Sequence, residues 1–180
     1  MGARKSQRLR GNLVSLPSVF CSDSSALIDL RDAGLLRRMR SLVQIGKVKI
    51  PEGVYKELKQ KTDQLAKTIE QWRNKYSFVV NLDSKALELL PDIEREYGPQ
   101  FSVGGKTYPG FWKSPSGKKS ADSQVVALAK SRGWIAVSND NSIHGACMIE
   151  NVQCRRWEEI GRLLLGPEQP PLPGLEPPHN

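Results

Sequence analysis

Four carboxylates in this chain stand where acids are costly or informative: Asp23, Glu57, Asp122 and Asp140. In "SVFCSDSSALIDL" an apolar strand runs straight into Asp23. A carboxylate at the end of a buried strand costs desolvation free energy unless something compensates it. "WIAVSND" ends the same way, on Asp140. Asp122 opens the helical stretch "ADSQVVALAKSRG", where positions 122, 125, 126 and 129 share one face. Val125, Val126 and Ala129 make that face apolar, so Asp122 is expected to point toward a sheet. Glu57 lies beside Val54 and Leu58 on the core side of another helix. Four acids converging on one edge would repel one another. A hard divalent cation, Mg²⁺ or Mn²⁺, relieves that repulsion through oxygen ligands and keeps several waters. Held by acids and left with open positions, it can orient a phosphodiester and activate water for in-line attack.

Each acid taken singly has a plainer reading. Asp23 and Asp122 could cap helices, as Ser24 or Ser25 also could. Glu57 alone reads as a solvated helix residue, and Asp140 between Asn139 and Asn141 as a turn. The conjunction carries more weight than any member. Two acids at two strand ends, with two more on inward helix faces, is not what four independent caps would give.

The elements that must position these acids follow from periodicity. Strands are expected at 19–22, 47–50, in "SFVVNL", in "WIAVSND" and in "VQC". Between them lie a helix ending near Arg31, a second with Leu35, Leu36, Met39, Leu42 and Val43 on one face, and a long one over "PEGVYKELKQKTDQLAKTIEQWRN". "SKALELLPDIEREYG" reads as a helix interrupted at Pro91, and "RWEEIGRLLL" as a last helix. Residues 97–120 break the pattern and read as a long loop; no element is assigned to 141–150. Strands alternating with helices predict an α/β domain: three layers, with helices on both faces of a parallel sheet of about five strands. Such sheets build their sites at the carboxyl ends of the strands, where the strand order reverses.

Composition narrows the classes. The chain has 180 residues with 38% hydrophobic and 26% charged, an ordinary globular balance, and no apolar run long enough to span a membrane. Half of the net charge of +8 sits on Arg4, Lys5, Arg8 and Arg10, in an acid-free start that also fits the loose N-myristoylation pattern. A basic disordered arm over 1–17, a folded domain over 18–165 and a proline-rich disordered tail over 166–180 are expected. Three cysteines, Cys21, Cys147 and Cys154, match no CxxC spacing, and there are two histidines, His144 and His179, so a zinc site of the usual kind is not expected. Reduced, mostly buried thiols suit the cytoplasm. With no glycine-rich loop after the first strand, a flavodoxin-like phosphate site has no support.

With those residues in view the sequence resembles the PIN-domain family, metal-dependent ribonucleases that include the VapC-type toxins. "DSSALIDL", "VYKELK", "ADSQVVALA" and "VSND" resemble its four acidic motifs in the expected order. The resemblance spans roughly residues 19–165. It implies that Asp23, Glu57, Asp122 and Asp140 are the catalytic, metal-binding quartet, with Ser25 and Ser138 as supporting polar residues. Many members carry another acid two positions after the last motif's aspartate; Ser142 stands there, which counts against a second metal. The 97–120 loop is longer than in compact members.

That loop carries Lys106, Lys113, Lys118 and Lys119 with no acid between Glu96 and Asp122, and Tyr108, Phe111 and Trp112 lie among the lysines. Lysines can meet phosphates and aromatics can stack on unpaired bases. RNA-binding roles are therefore expected for Lys106, Tyr108, Trp112, Lys113, Lys118 and Lys119, against the alternative that the aromatics pack the loop down or meet a partner. The resulting expectation is a Mg²⁺- or Mn²⁺-dependent endoribonuclease, by resemblance the toxin of a toxin–antitoxin pair. Its expected partners are an RNA substrate, a protein antitoxin and a second copy of the chain. An RNA-processing nuclease outside such a pair, or an inactive binding module on the same fold, are the alternatives.

Overall fold

A computed structural model describes residues 18–112 and 121–165. The 1–17 arm, the 166–180 tail, and Lys113, Lys118 and Lys119 lie outside the described residues. Among the described residues the first half of the chain runs β1 (Phe20–Ser22), α1 (Ser24–Asp32), α2 (Leu36–Gln44), β2 (Val48–Pro51), α3 (Glu52–Lys59), α4 (Gln64–Lys75) and β3 (Val79–Val80). The second half continues α5 (Ser84–Tyr97), β4 (Phe101–Val103), β5 (Lys106–Tyr108), α6 (Asp122–Arg132), β6 (Ile135–Val137), α7 (Asn141–Ile149), β7 (Cys154–Arg155) and α8 (Trp157–Leu165). No described helix is long and apolar enough to cross a membrane.

The expected parallel sheet is present. Its five strands stand in the order β3-β2-β1-β6-β7, every pair parallel. From β1 the chain moves outward through β2 and β3, then returns to β1's other side as β6. Right-handed crossovers running in opposite directions place their helices on opposite faces. So α1 to α4 cover one face and α5 to α7 the other, with α8 returning against α1: three layers, αβα. The core is continuous between them. Leu27, Leu30 and Met39 fill it on one side, and Val125, Val126 and Leu128 on the other.

Four local expectations are corrected. Residues 97–120 are not a single long loop. Within them β4 and β5 form a hairpin around Gly104 and Gly105, both at positive φ (57° and 75°), as a two-residue turn requires. The long helix after Pro51 is two helices, because Asp63 starts α4 afresh by accepting from the Ala66 amide at 2.9 Å. Pro91 does not interrupt α5, which runs unbroken from Ser84 to Tyr97. The bond proline cannot donate would go to Leu87, on the exposed side of the helix, where water can replace it. Finally, 141–150 holds α7, whose cap is Asp140 itself.

Candidate metal and phosphodiester site

Where the chain returns past β1, the sheet has its switch point between β1 and β6, and open α/β sheets build their binding crevice at such a point, at the carboxyl ends of the strands. Asp23 is the residue after β1, and Ser138 the residue after β6. The two strand ends are stitched across the crevice: the Asp23 amide donates to the Val137 carbonyl at 3.0 Å.

Asp23 is 2% exposed. Its Oδ1 caps α1 by accepting from the Ala26 amide at 2.8 Å. Its Oδ2 accepts from the hydroxyls of Ser25 at 2.7 Å and Ser138 at 2.5 Å. The cap on α1 is thus Asp23, not Ser24 or Ser25. Burial pushes the Asp23 carboxyl up to about 6, and the Asp140 charge adds to the rise; the bonds from Ser138, Ala26 and Ser25 oppose it.

The other three acids lie on elements that meet the same strand edge. Asp140, half-buried, caps α7 by accepting from the Ser142 amide at 2.7 Å, and its own amide donates to Ser138 Oγ at 2.9 Å. One serine hydroxyl therefore touches both strand-end aspartates. Glu57, half-buried on α3, accepts from Ser24 Oγ at 3.1 Å and from the Ala121 amide at 3.4 Å. Those contacts tie it to the start of α1 on one side and of α6 on the other. Asp122 is the first residue of α6, half-buried, beside that Ala121 amide.

Three residues in this frame were not singled out as site residues. Ser24 bridges Asp23's helix to Glu57. Asn139 donates to Asp29 on α1 and accepts from the Trp157 amide at 3.4 Å, fixing the turn that presents Asp140. Gln124 Oε1 accepts from the Gly53 amide at 2.9 Å and locks the start of α3 to α6. Their signal in the sequence is a position within two residues of an acid, which alone is too common to read.

Of the remaining candidates, Tyr108 stacks on Phe101 (5.3 Å, 18° between planes), and both rings lie against Gly145 of α7. Trp112 is 44% exposed and covers Gly98 with its ring edge. Phe111 is buried against Tyr97. Lys106 is exposed at the start of β5.

Fitness for a metal can be judged from the donors. Among the described residues no group of three or more His, Cys, Asp or Glu is drawn together closely enough to hold a metal ion directly. The donor chemistry is nonetheless all hard oxygen. Ser142 Oγ, two residues past Asp140, is buried with no hydrogen-bond partner among the described residues, where an ordered water or ligand oxygen is due. Mg²⁺ takes one or two carboxylates and fills the rest of its shell with water, so donors spaced around a crevice suit it.

A family model described as a domain of unknown function, DUF4411, matches residues 20–156, most of the chain, and the protein belongs to that family. No curated protein matches it in sequence. Among solved structures, a chain of VapBC-1 from nontypeable Haemophilus influenzae is similar at a TM-score of 0.49 and 11% identity, over 78% of this chain and 98% of that one.

Proposed function

We propose that the protein is a metal-dependent endoribonuclease whose site is the β1/β6 crevice. The observation that carries the reading is Asp23. Its carboxylate is buried and, among the described residues, bound through neutral hydrogen-bond donors only, and it is pushed toward protonation by that burial and in part by a second acid. A capping role needs none of that. A site that receives a cation does, because the cation supplies the missing positive charge.

Asp23 and Asp140 would hold Mg²⁺ or Mn²⁺, with Glu57 and Asp122 reaching it directly or through water. When bound, the ion supplies a polarised water and charge stabilisation at the phosphate. The chain's own residues do the rest. Ser138 and Ser25 fix the Asp23 carboxylate so that it need not reorganise. Asn139 holds the turn that presents Asp140. Glu57, tied between two helix starts, would orient or deprotonate a water. Lys106, Lys113, Lys118 and Lys119 would meet RNA phosphates, and Tyr108 and Trp112, each with one surface already packed, could offer the other to a base. The resemblance set out above extends this reading to the toxin of a toxin–antitoxin pair, with a protein antitoxin as its inhibitor, a second copy of the chain as a further partner and the cytoplasm as its setting.

The test is cleavage of single-stranded RNA by purified protein. Activity is expected with Mg²⁺ or Mn²⁺ and none with EDTA, and cleavage that survives chelation removes the metal from the proposal. Lysine-to-alanine changes at 113, 118 and 119 should weaken RNA binding and flatten its dependence on salt.

A further inference from the structure

One cluster of reactive side chains takes no part in that reading. Cys147, on the inner face of α7, is fully buried, and Cys154, on the edge strand β7, is partly exposed. The short connection between them is closed by the Val152 amide donating to the Cys147 carbonyl at 2.8 Å, and β7 is held in register by Cys154 facing Ala136. That geometry sets the Cys147 and Cys154 side chains next to each other, close enough for the two sulfurs to interact. His144, one turn before Cys147, completes the cluster. Its Nε2 meets the Ser138 carbonyl at 2.8 Å, which makes that nitrogen the N–H donor and leaves the other ring nitrogen for the Cys154 sulfur. Arg156 adds positive charge. These neighbours pull the Cys154 thiol below its ordinary range, while Cys147 is held above it by that contact and by burial.

A nucleophilic sulfur that solvent can reach, beside a histidine held by a third group and touching a second buried thiol, is the arrangement of an attacking and a resolving cysteine. We propose that Cys154 and Cys147 are a redox-active pair that hydroperoxides convert to an intramolecular disulfide, with Cys154 as the attacking sulfur. The Cys154 thiolate attacks the O–O bond of hydrogen peroxide. An S–O bond forms, the O–O bond breaks, and the departing hydroxide takes up the proton that the Cys154 thiol gave up, becoming water. The Cys147 sulfur then attacks the resulting sulfenic acid. The S–S bond forms, the S–O bond breaks, and the departing hydroxide takes the thiol proton as a second water. Two thiols lose two electrons and the peroxide gains them. The product fastens the last turn of α7 to β7. Cys21, buried on β1, stays reduced because the oxidant cannot reach it.

The full reduced chain is treated with stoichiometric hydrogen peroxide and mapped by mass spectrometry. Wild type should lose about two mass units, regain them with dithiothreitol, and yield a linked Cys147–Cys154 peptide. Cys147→Ser should stop at a sulfenic acid on Cys154 that dimedone captures; Cys147→Ala serves the same purpose if the buried serine disturbs folding. Cys154→Ser should give no oxidation product. A linked peptide containing Cys21, oxidation undiminished in Cys154→Ser, or a wild type that stays reduced overturns the proposal.

Discussion

The molecule starts four of its helices with the same device, an aspartate accepting from the amide three or two residues on, and uses it in two opposite ways. At α4 and α5 the caps Asp63 and Asp83 lie toward the surface, and each pairs with an arginine: Asp63 with Arg31 at 2.6 Å, Asp83 with Arg132 at 2.8 Å. Both carboxyls are held below the usual range, first by the capped amide and then by the cation. At α1 the cap Asp23 is buried, its hydrogen-bond partners are neutral, and its carboxyl is pushed up to about 6. At α7 the cap Asp140 faces the same crevice as Asp23 and contributes to that rise. Capping explains the first pair completely. It leaves the charge on Asp23 unaccounted for, and that surplus is what the proposed metal site would answer.

The sharpest way to break the contrast is Asp→Asn at each cap, since asparagine caps about as well and removes only the charge. Asp23→Asn should lose RNA cleavage to background while Asp63→Asn and Asp83→Asn keep it, measured on one RNA under one set of conditions. Equal cleavage in all three variants ends the distinction.

Metal binding offers the next test. Mg²⁺ should raise the melting temperature of wild type by mass action, and that of Asp23→Asn much less. An undiminished shift in the variant takes Asp23 out of the proposed ligand set.

The same variants should differ in how stability depends on pH in EDTA. A carboxyl raised from 3.8 to about 6 binds its proton more tightly in the folded state, so its charge destabilises the fold. The penalty is absent below about pH 4, grows as pH rises through the window, and reaches an upper bound on the order of 3 kcal/mol above about pH 6. Asp23→Asn should therefore be more stable than wild type at pH 7.5 and match it at pH 3.5, as followed by denaturant melts. Asp63 and Asp83 carry the opposite sign. Their depressed carboxyls stabilise the fold above the usual aspartate range and lose that contribution as pH falls, so their asparagine variants should be slightly less stable at neutral pH only.

A smaller effect refines the comparison inside the crevice. Ser138→Ala removes the donor to Asp23 and the acceptor of the Asp140 amide together. It should cost about 1–3 kcal/mol and reduce cleavage without abolishing it, because the Asp23 charge remains. It should also move the Asp23 carboxyl further up, visible as a displaced acid limb in the same pH series.

Much of this arrangement was legible in the chain. Apolar runs ending on Asp23 and Asp140 marked two strand ends, and alternation with amphipathic helices required a parallel sheet, because side-chain periodicity decides which faces can be buried. The expectation that Asp122 and Glu57 turn inward came from helical spacing alone, and both are half-buried. Elements whose formation depends on a neighbour were not legible. The β4/β5 hairpin rests its rings on Gly145, more than thirty residues away, and Pro91 is tolerated because its helix face is exposed. The meaning of each aspartate belongs to tertiary structure for the same reason. Asp23, Asp63, Asp83 and Asp140 are local equivalents, each followed by a helix. Only the return of the chain from β3 to β6 brought Ser138 and Asp140 against Asp23 and left Asp63 and Asp83 beside arginines. A carboxylate's ionisation is set by what surrounds it in space, and for Asp23 the decisive neighbours lie 115 positions along the chain.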